Sequence, residues 1–209
     1  MKRLLLVLAI FLISGQAIAS DQKLAHGAGT LPHLTRAFTL SLGLEFPTPV
    51  LYALQYDIGL GNRVQLGFSA SVLLAAAIEI NSMFNVLKTA NDSDFLSLYF
   101  NPGIYIVLFY GVFVTPTLRT GIAYEHRFGD NRRFGLYTKI GVLMVQYDDV
   151  PTLELDWRVG FQALRSKRFS ITLEPMLRWS PYYPLLLPGG KVALTWAFES
   201  KRKPRPKHP

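Results

Sequence analysis

The stretch Leu118–Met144, which reads LRTGIAYEHRFGDNRRFGLYTKIGVLM, decides the fold because two runs of alternating side chains flank a polar turn. In the first run, apolar residues such as Ile122 alternate with small or charged residues such as Arg119 and Glu125. Successive side chains of a β-strand point to opposite faces, so each run predicts a strand with one apolar and one polar face. The turn at Gly129–Arg132 joins the two strands into a hairpin.

The same alternation recurs from residue 36 to residue 199 and predicts about ten strands with hairpin-length connections. Leu73–Leu87 also fits a helical stripe, but a strand is favoured there because a single helix would open the sheet. Asn101–Gly103 is expected to form a bulge or an edge, and residues 180–190 a Pro-rich loop. The predicted fold is therefore all-β, a closed antiparallel up-and-down barrel of about ten strands, with eight or twelve strands as the alternatives.

The content of the two faces favours a transmembrane barrel over a soluble one. The chain is 50% hydrophobic, yet no run of eighteen apolar residues follows its N-terminal segment, so hydrophobicity is spread over alternating strands. The polar face combines small residues with charges of both signs, which suits a narrow lumen where buried charges must pair. A secreted soluble barrel that binds a ligand is the alternative, and it would place its apolar face inside. The charged side chains predicted to face the lumen are Asp57, Arg63, Glu79, Arg119, Glu125, Arg127, Lys139, Glu154, Asp156, Arg158, Glu174 and Arg178.

The N-terminal segment predicts export from the cytoplasm. Residues 1–19 combine a basic start, a short apolar run at Leu4–Ile13 and a small-residue cleavage site at Ala17–Ala19, as in a signal peptide. Residues 20–35 are a polar lead-in, interpreted as an N-terminal arm before the barrel at residues 36–199. The chain has no cysteine, so disulfides and thiolate metal sites play no part.

The net charge of +8 is concentrated at the two ends of the chain. Two cations lie at the start of the signal peptide and five lie in residues 200–209, and without these seven the chain carries only +1. A basic nucleic-acid-binding face therefore has no support in the barrel. Residues 200–209 are expected to be a solvated, disordered basic tail, with an anionic partner as the alternative.

Two stretches, YDIGLGNRVQLGF and GIAYEHRFGDNRRFGLYTKIG, resemble hairpins of small bacterial outer-membrane barrels of the OmpA/OmpW-like kind. The resemblance extends over residues 36–198 as a pattern and implies the outer membrane of a Gram-negative bacterium, with its lipids as surroundings. The barrel-assembly machinery reads a C-terminal aromatic in such proteins, and GGKVALTWAF, with Trp196 and Phe198, is similar to that terminal strand. The eleven residues that follow Phe198 depart from this pattern.

The sequence predicts no catalytic residues, metal site or cofactor. His126 lies on the apolar parity of its strand near a turn, where an interfacial polar residue is expected. The lipid A deacylases, another family of small barrels, carry a Ser two residues after a strand His, and Phe128 stands at that position here. The predicted role is a structural or interaction barrel with a narrow, charge-filled lumen, because small barrels are filled mainly by side chains. A narrow channel or small-ligand transporter is the alternative.

Overall fold

The computed structural model describes residues 30–44, 50–61, 63–73, 75–90, 93–107, 113–130, 133–147, 150–166, 168–181 and 186–199. The predicted signal peptide, most of the predicted N-terminal arm and the predicted basic tail lie outside these residues. The strands are β1 (Thr35–Leu44), β2 (Val50–Gly59), β3 (Val64–Leu73), β4 (Ala75–Lys88), β5 (Asp94–Val107), β6 (Phe113–Phe128), β7 (Phe134–Tyr147), β8 (Val150–Ser166), β9 (Phe169–Trp179) and β10 (Leu186–Glu199).

The ten strands form one closed antiparallel barrel. Each strand pairs with its neighbours in sequence, and β1 closes the barrel by pairing with β10 from Thr35↔Glu199 to Leu44↔Gly190. The predicted all-β fold, the up-and-down order and the count of ten are confirmed. The ambiguous segment is a strand, β4, as favoured from the sequence. Among the described residues, no helix has the length and hydrophobicity needed to cross a membrane.

Two local predictions need correction. β10 begins at Leu186, so the second half of the predicted Pro-rich loop is strand, and Pro188 pairs with Leu177. Asn101–Gly103 does not form a bulge, because β5 keeps one register against β6 from Asp94 to Val107. On the other side of β5, the ladder to β4 lacks partners around Pro102, and side chains bridge the gap. The Ser82 amide donates to Asn101 Oδ1 at 3.2 Å, and the Ser82 hydroxyl donates to the carbonyl oxygen of Phe100.

The barrel has two distinguishable ends. We call the end where β1 begins and β10 ends the proximal end, and the opposite end the distal end. Antiparallel order places the connections at residues 60–63, 89–93, 129–133 and 167–168 at the proximal end. The other five connections lie at the distal end. The turn of the hairpin at residues 118–144 is therefore proximal, on the same side as the two ends of the barrel sheet.

The faces of the strands are inverted relative to a soluble protein. Thirty-three large apolar side chains of the described residues are exposed, among them Phe68, Ile80 and Ile140. The buried residues comprise twenty-four polar or charged side chains and only thirteen apolar ones. Because the side-chain period of a strand is two, the register that turns the apolar residues outward also turns the charges inward.

Inward-facing glycines make room for two tyrosine rings. A Cβ atom added to Gly160 would overlap the ring of Tyr137, and one added to Gly141 would overlap the hydroxyl of Tyr99. Tyr137 is 1% exposed and Tyr99 is 6% exposed, so both rings lie inside the barrel. Space left by small residues in the lumen is therefore taken partly by aromatic rings and not only by long charged side chains.

Gly160→Ala should destabilise the barrel by about 1–3 kcal/mol, because the new methyl group overpacks against Tyr137. In a Tyr137→Ala background the same change should reduce the free energy of unfolding much less, since the three atoms closest to the added Cβ all belong to the Tyr137 side chain. Urea unfolding of the four proteins of this cycle measures the coupling. Gly135→Ala is the matched control, because its nearest atom is the flexible end of Glu125 at 3.1 Å. Equal costs of Gly160→Ala in both backgrounds would contradict the packing.

Candidate functional site in the barrel lumen

The barrel interior holds a balanced set of charges. Among the described residues, six cations and six anions that are buried or half-buried occupy inward strand positions. The cations are Arg119, Arg127, Lys139, Arg158, Arg178 and Lys191, and the anions are Asp57, Glu79, Glu125, Glu154, Asp156 and Glu174. Burial of a charge is tolerable only where it is paired and hydrogen-bonded, so the arrangement of these twelve groups is constrained.

Eleven of the twelve charged residues predicted to face the lumen lie among these groups, and Arg63 does not. Arg63 is exposed in the turn before β3, and its carbonyl oxygen accepts a hydrogen bond from the Asn85 amide at 2.8 Å. The prediction for Arg63 is wrong because the chain is already turning there. Strand parity would point residue 63 inward, but the residue lies at the proximal end of the lumen, where its side chain is exposed.

Asp156 is the centre of a first ionic cluster. Its two carboxylate oxygens accept hydrogen bonds from Arg158 Nε at 2.9 Å and Nη2 at 2.7 Å. Arg178 Nη2 lies 3.5 Å and Arg119 Nε 3.6 Å from Asp156 Oδ2. The strands dictate this cluster, because Asp156 and Arg158 are two positions apart on β8 and Asp156 is the register partner of Arg178 on β9. A two-point contact of guanidinium with carboxylate fixes geometry as well as charge.

Glu174 is the centre of a second cluster, one step around the barrel. Lys191 Nζ and Arg158 Nη1 each lie 3.3 Å from Glu174 Oε1. Lys139 Nζ lies 3.8 Å from Oε2, and the Tyr137 hydroxyl donates to Oε2 at 2.5 Å. The Glu174 side chain is only 2% exposed, whereas those of Lys139 and Lys191 are 18% and 21% exposed. The carboxylate is thus covered by the groups that bind it.

A separate ion pair lies nearer the proximal end. Arg127 Nε donates to Glu125 Oε1 at 2.6 Å, and both side chains are almost completely buried. The Arg127 guanidinium also lies 4.4 Å from the centre of the Phe95 ring, in a cation–π contact. The pair follows from strand parity, since the two residues are alternate positions on β6.

The end of the N-terminal arm enters the proximal mouth of the barrel. The Leu31 amide donates to Gln65 Oε1 at 3.0 Å, and Asn85 Nδ2 donates to the Thr30 hydroxyl at 2.8 Å. The Leu31 side chain is fully buried and packs against Ala37 and Ala197. The sequence analysis missed this role, because residues 30–34 carry no alternation and their partners lie on distant strands.

A cavity of about 120 Å³ remains in the lumen between the middle of the barrel and the distal end. One wall, formed by β1 to β5, carries mostly small side chains or uncharged polar ones. Its polar residues include Ser41, Gln55, Ser69, Ser71, Asn81 and Asn101. The opposite wall is cationic and is formed by Arg119, Lys139, Arg158 and Lys191. Glu79 is the acidic residue among those that line the cavity.

The outer face carries a small polar cluster near the proximal end. Asp94 Oδ1 accepts from the Tyr124 hydroxyl at 2.8 Å and lies 2.8 Å from His126 Nδ1. The next outward residue after His126 is Phe128, whose ring stacks on the imidazole at 6.2 Å. Among the described residues, no group of three or more His, Asp or Glu side chains is arranged to hold a metal ion.

The predicted terminal-strand aromatics lie on the outer face of β10. Trp196 packs against Phe38 of β1 at 6.4 Å and Phe169 of β9 at 5.4 Å, whereas Phe198 is exposed.

No protein-family model matches this chain, and comparison with characterised proteins and with solved structures likewise gives no match. The functional argument therefore rests on the geometry of the barrel and its lumen.

Asp156→Asn should reduce the free energy of unfolding by about 3–5 kcal/mol, because buried guanidinium groups then lose their shared counter-charge. Urea unfolding followed by tryptophan fluorescence measures the change. Asp57→Asn is the matched control. Asp57 is 1% exposed, and its carboxylate accepts from the Gln55 amide at 2.7 Å, so an amide oxygen can replace it at much smaller cost. Similar losses in the two variants would contradict the central role of Asp156.

Proposed function

We propose that this chain is an exported outer-membrane β-barrel protein with a charge-filled lumen and a structural or interaction role. In this proposal residues 1–19 are removed as a signal peptide. Lipid surrounds the barrel wall, and the proximal end faces the periplasm. An enzymatic activity is no part of the proposal.

The inverted distribution of side chains is the observation that carries this proposal. Exposed large side chains such as Phe68, Ile80, Phe100, Ile140 and Leu155 come from strands around the barrel, and the charges lie inside. A soluble monomer rarely exposes a continuous apolar patch of more than a few hundred Å². A lipid bilayer removes that cost, and a closed barrel leaves no unpaired strand edge in the hydrocarbon region.

An aromatic belt near the proximal end supports the same proposal. It consists of Phe128, Phe134 and Phe161 on β6 to β8, and of Phe169, Trp196 and Phe38 on β9, β10 and β1. Ring centres of neighbouring members lie 5.4–6.4 Å apart. Aromatic side chains are enriched at the level of lipid headgroups in membrane barrels. The belt therefore favours a membrane interface at the proximal end.

The lumen favours a structural or interaction role over solute passage. The clusters centred on Asp156 and Glu174 occupy the β6 to β10 side of the interior. Leu31 occupies the proximal mouth. A solute that crossed the barrel would have to pass along the ionic clusters and displace the N-terminal arm.

Two further partners belong to the proposal. The barrel-assembly machinery would read the outward aromatics of β10, Trp196 and Phe198, although a basic tail follows them. The tail at residues 200–209 has five cations and no acidic residue, which suits an anionic partner at the periplasmic surface.

Phe68→Lys should impair membrane insertion far more than Ser69→Lys. Phe68 is 55% exposed on the outer face of β3, where a lysine near the middle of a bilayer costs about 2–4 kcal/mol. Ser69 is its inward neighbour and pairs with Glu79, so a lysine there gains a carboxylate partner. Outer-membrane fractionation and heat-modifiable gel migration measure insertion.

The same fractionation tests the location of the unmodified protein. We expect recovery in the outer-membrane fraction, with faster gel migration before heating than after. Recovery in the soluble periplasm would overturn the proposal and favour a secreted binding barrel. Equal insertion of the two lysine variants would mean that the faces are assigned wrongly.

Planar-bilayer recordings distinguish the structural role from a narrow channel. We expect no conductance steps from the wild type, and none from Arg119→Ala, because the other members of both clusters and Leu31 still fill the lumen. Steps in the wild type that increase in Arg119→Ala would instead favour a channel lined by these charges. Wild-type protein that inserts, as judged by gel migration, is the required reference.

A further inference from the structure

We propose that the lumen cavity is a binding site for a small oxyanion, of the size and charge of inorganic phosphate. The cavity has a volume of about 120 Å³, well above the roughly 10–15 Å³ that holds one water molecule. This inference concerns the interior of the barrel and does not depend on the membrane that surrounds it.

The cationic wall presents its positive charges to the cavity and keeps its carboxylates behind them. Lys139 and Lys191 line the cavity with side chains 18% and 21% exposed, whereas Glu174, which binds both, is 2% exposed. Arg158 also lines the cavity, and its partner Asp156 is 1% exposed. Glu79, which lies 3.6 Å from Arg119, also lines the cavity, so four cations and one carboxylate of the described residues border it.

Glu174 has four neighbouring donor groups. Lys191 and Arg158 lie 3.3 Å from Oε1, the Tyr137 hydroxyl donates to Oε2, and Lys139 Nζ lies 3.8 Å from Oε2, beyond hydrogen-bond distance. The Lys139 ammonium has three N–H donors, and its contact with Glu174 is an ion pair without a hydrogen bond. A further acceptor in the cavity would complete its hydrogen bonding.

The opposite wall supplies a second, independent observation. The side-chain nitrogen of Asn81 is buried and has no hydrogen-bond partner among the described residues. Asn81 lines the cavity together with Ser69 and Asn101. A buried donor without an acceptor costs about 1–3 kcal/mol, so a rotation of the Asn81 side chain that brings this nitrogen to an acceptor in the cavity is favoured. Donors on both walls can then reach a small anion.

The N-terminal arm closes one end of the lumen. Leu31 is fully buried in the proximal mouth, and its amide donates to Gln65, which also lines the cavity. The lining extends from there to Ser41, Ala53 and Ser71, nearer the distal end. A ligand in the cavity would therefore not leave through the proximal mouth, as in a binding site and unlike a pore.

The test uses the full mature chain folded in detergent micelles, with inorganic phosphate as the probe at constant ionic strength. Isothermal titration calorimetry should detect saturable binding at one site, with a dissociation constant of about 1 mM or tighter. Acetate and sulfate, titrated as competitors, separate a carboxylate-sized from a tetrahedral anion.

Three variants locate the site. Asn81→Asp keeps the side-chain size but adds a negative charge, and Lys139→Gln removes a donor, so each should weaken phosphate binding about tenfold or more. Lys191→Gln should weaken it similarly and serves as the second lysine variant if Lys139→Gln does not fold. Arg63→Gln is the matched control, because the Arg63 side chain is exposed at the proximal end of the lumen and does not line the cavity, and binding should be unchanged.

Heat-modifiable gel migration of each variant confirms that it is folded before titration. Absence of saturable phosphate binding to the folded wild type would overturn the proposal. So would equal affinity of the wild type and Asn81→Asp, or an Arg63→Gln effect as large as that of Lys139→Gln, since either result would indicate binding to surface charges.

Discussion

Closure of the hydrogen-bond ladder between β1 and β10 is the constraint on which the rest of this structure depends. The two strands pair over the whole length of β1, from Thr35 to Leu44. An open sheet of this sequence would leave two unpaired edges and would expose its charged face to one side and its apolar face to the other. Closure removes the edges and separates the faces into an outside and an inside. Only then can an apolar surface on the outer wall coexist with guanidinium and carboxylate groups that are almost inaccessible to solvent.

The inside then depends on register. Asp156 lies opposite Arg178 and Glu174 opposite Lys191, whereas Lys139 and Arg158, which face each other, are both cations near Glu174. The first two cross-strand pairs give each ionic cluster an oppositely charged partner without any long-range adjustment of the chain. A shift of one residue in any of these ladders would turn a charge into the apolar wall and leave its partner buried alone. The ionic clusters therefore specify the register of β7 to β10 as strongly as the apolar outer face does.

Much of the barrel could be predicted from the sequence because its information is local. Alternation within each strand gives the face of every residue, and hairpin-length connections give the order of the strands. The errors lie where parity is not the deciding factor. Arg63 has inward parity, but its side chain is exposed at the proximal end of the lumen. Leu186 starts a strand in a Pro-rich stretch because Pro188 and its neighbours pair with residues of β9.

Other features depend on contacts between residues that are far apart in sequence. Leu31 enters the lumen through bonds to Gln65 on β3 and contacts with β1 and β10, which no pattern in residues 20–35 indicates. The packing of the Tyr137 ring against Gly160 requires the register of β7 against β8, in which these two residues are partners. The cavity depends on all the surrounding strands at once, since its volume is what remains after every inward side chain has been placed.

The unequal filling of the lumen is the feature that a purely structural role does not require. On β6 to β10 the inward positions are filled by large charged side chains and by the side chains of Tyr137 and Met176 beside them. On β1 to β5 the inward residues are mostly serines, alanines and amides, and the space that they leave is the cavity. Stability alone would favour filling that space, because an unfilled volume forfeits packing contacts. Since cations and an amide donor border it, the space is polar and can be occupied by water or by an anion. Larger side chains in place of Ser69 or Ser71 would fill part of this space and would add packing contacts. A small polar wall opposite a cationic one is the arrangement that an anion bound by both walls would need.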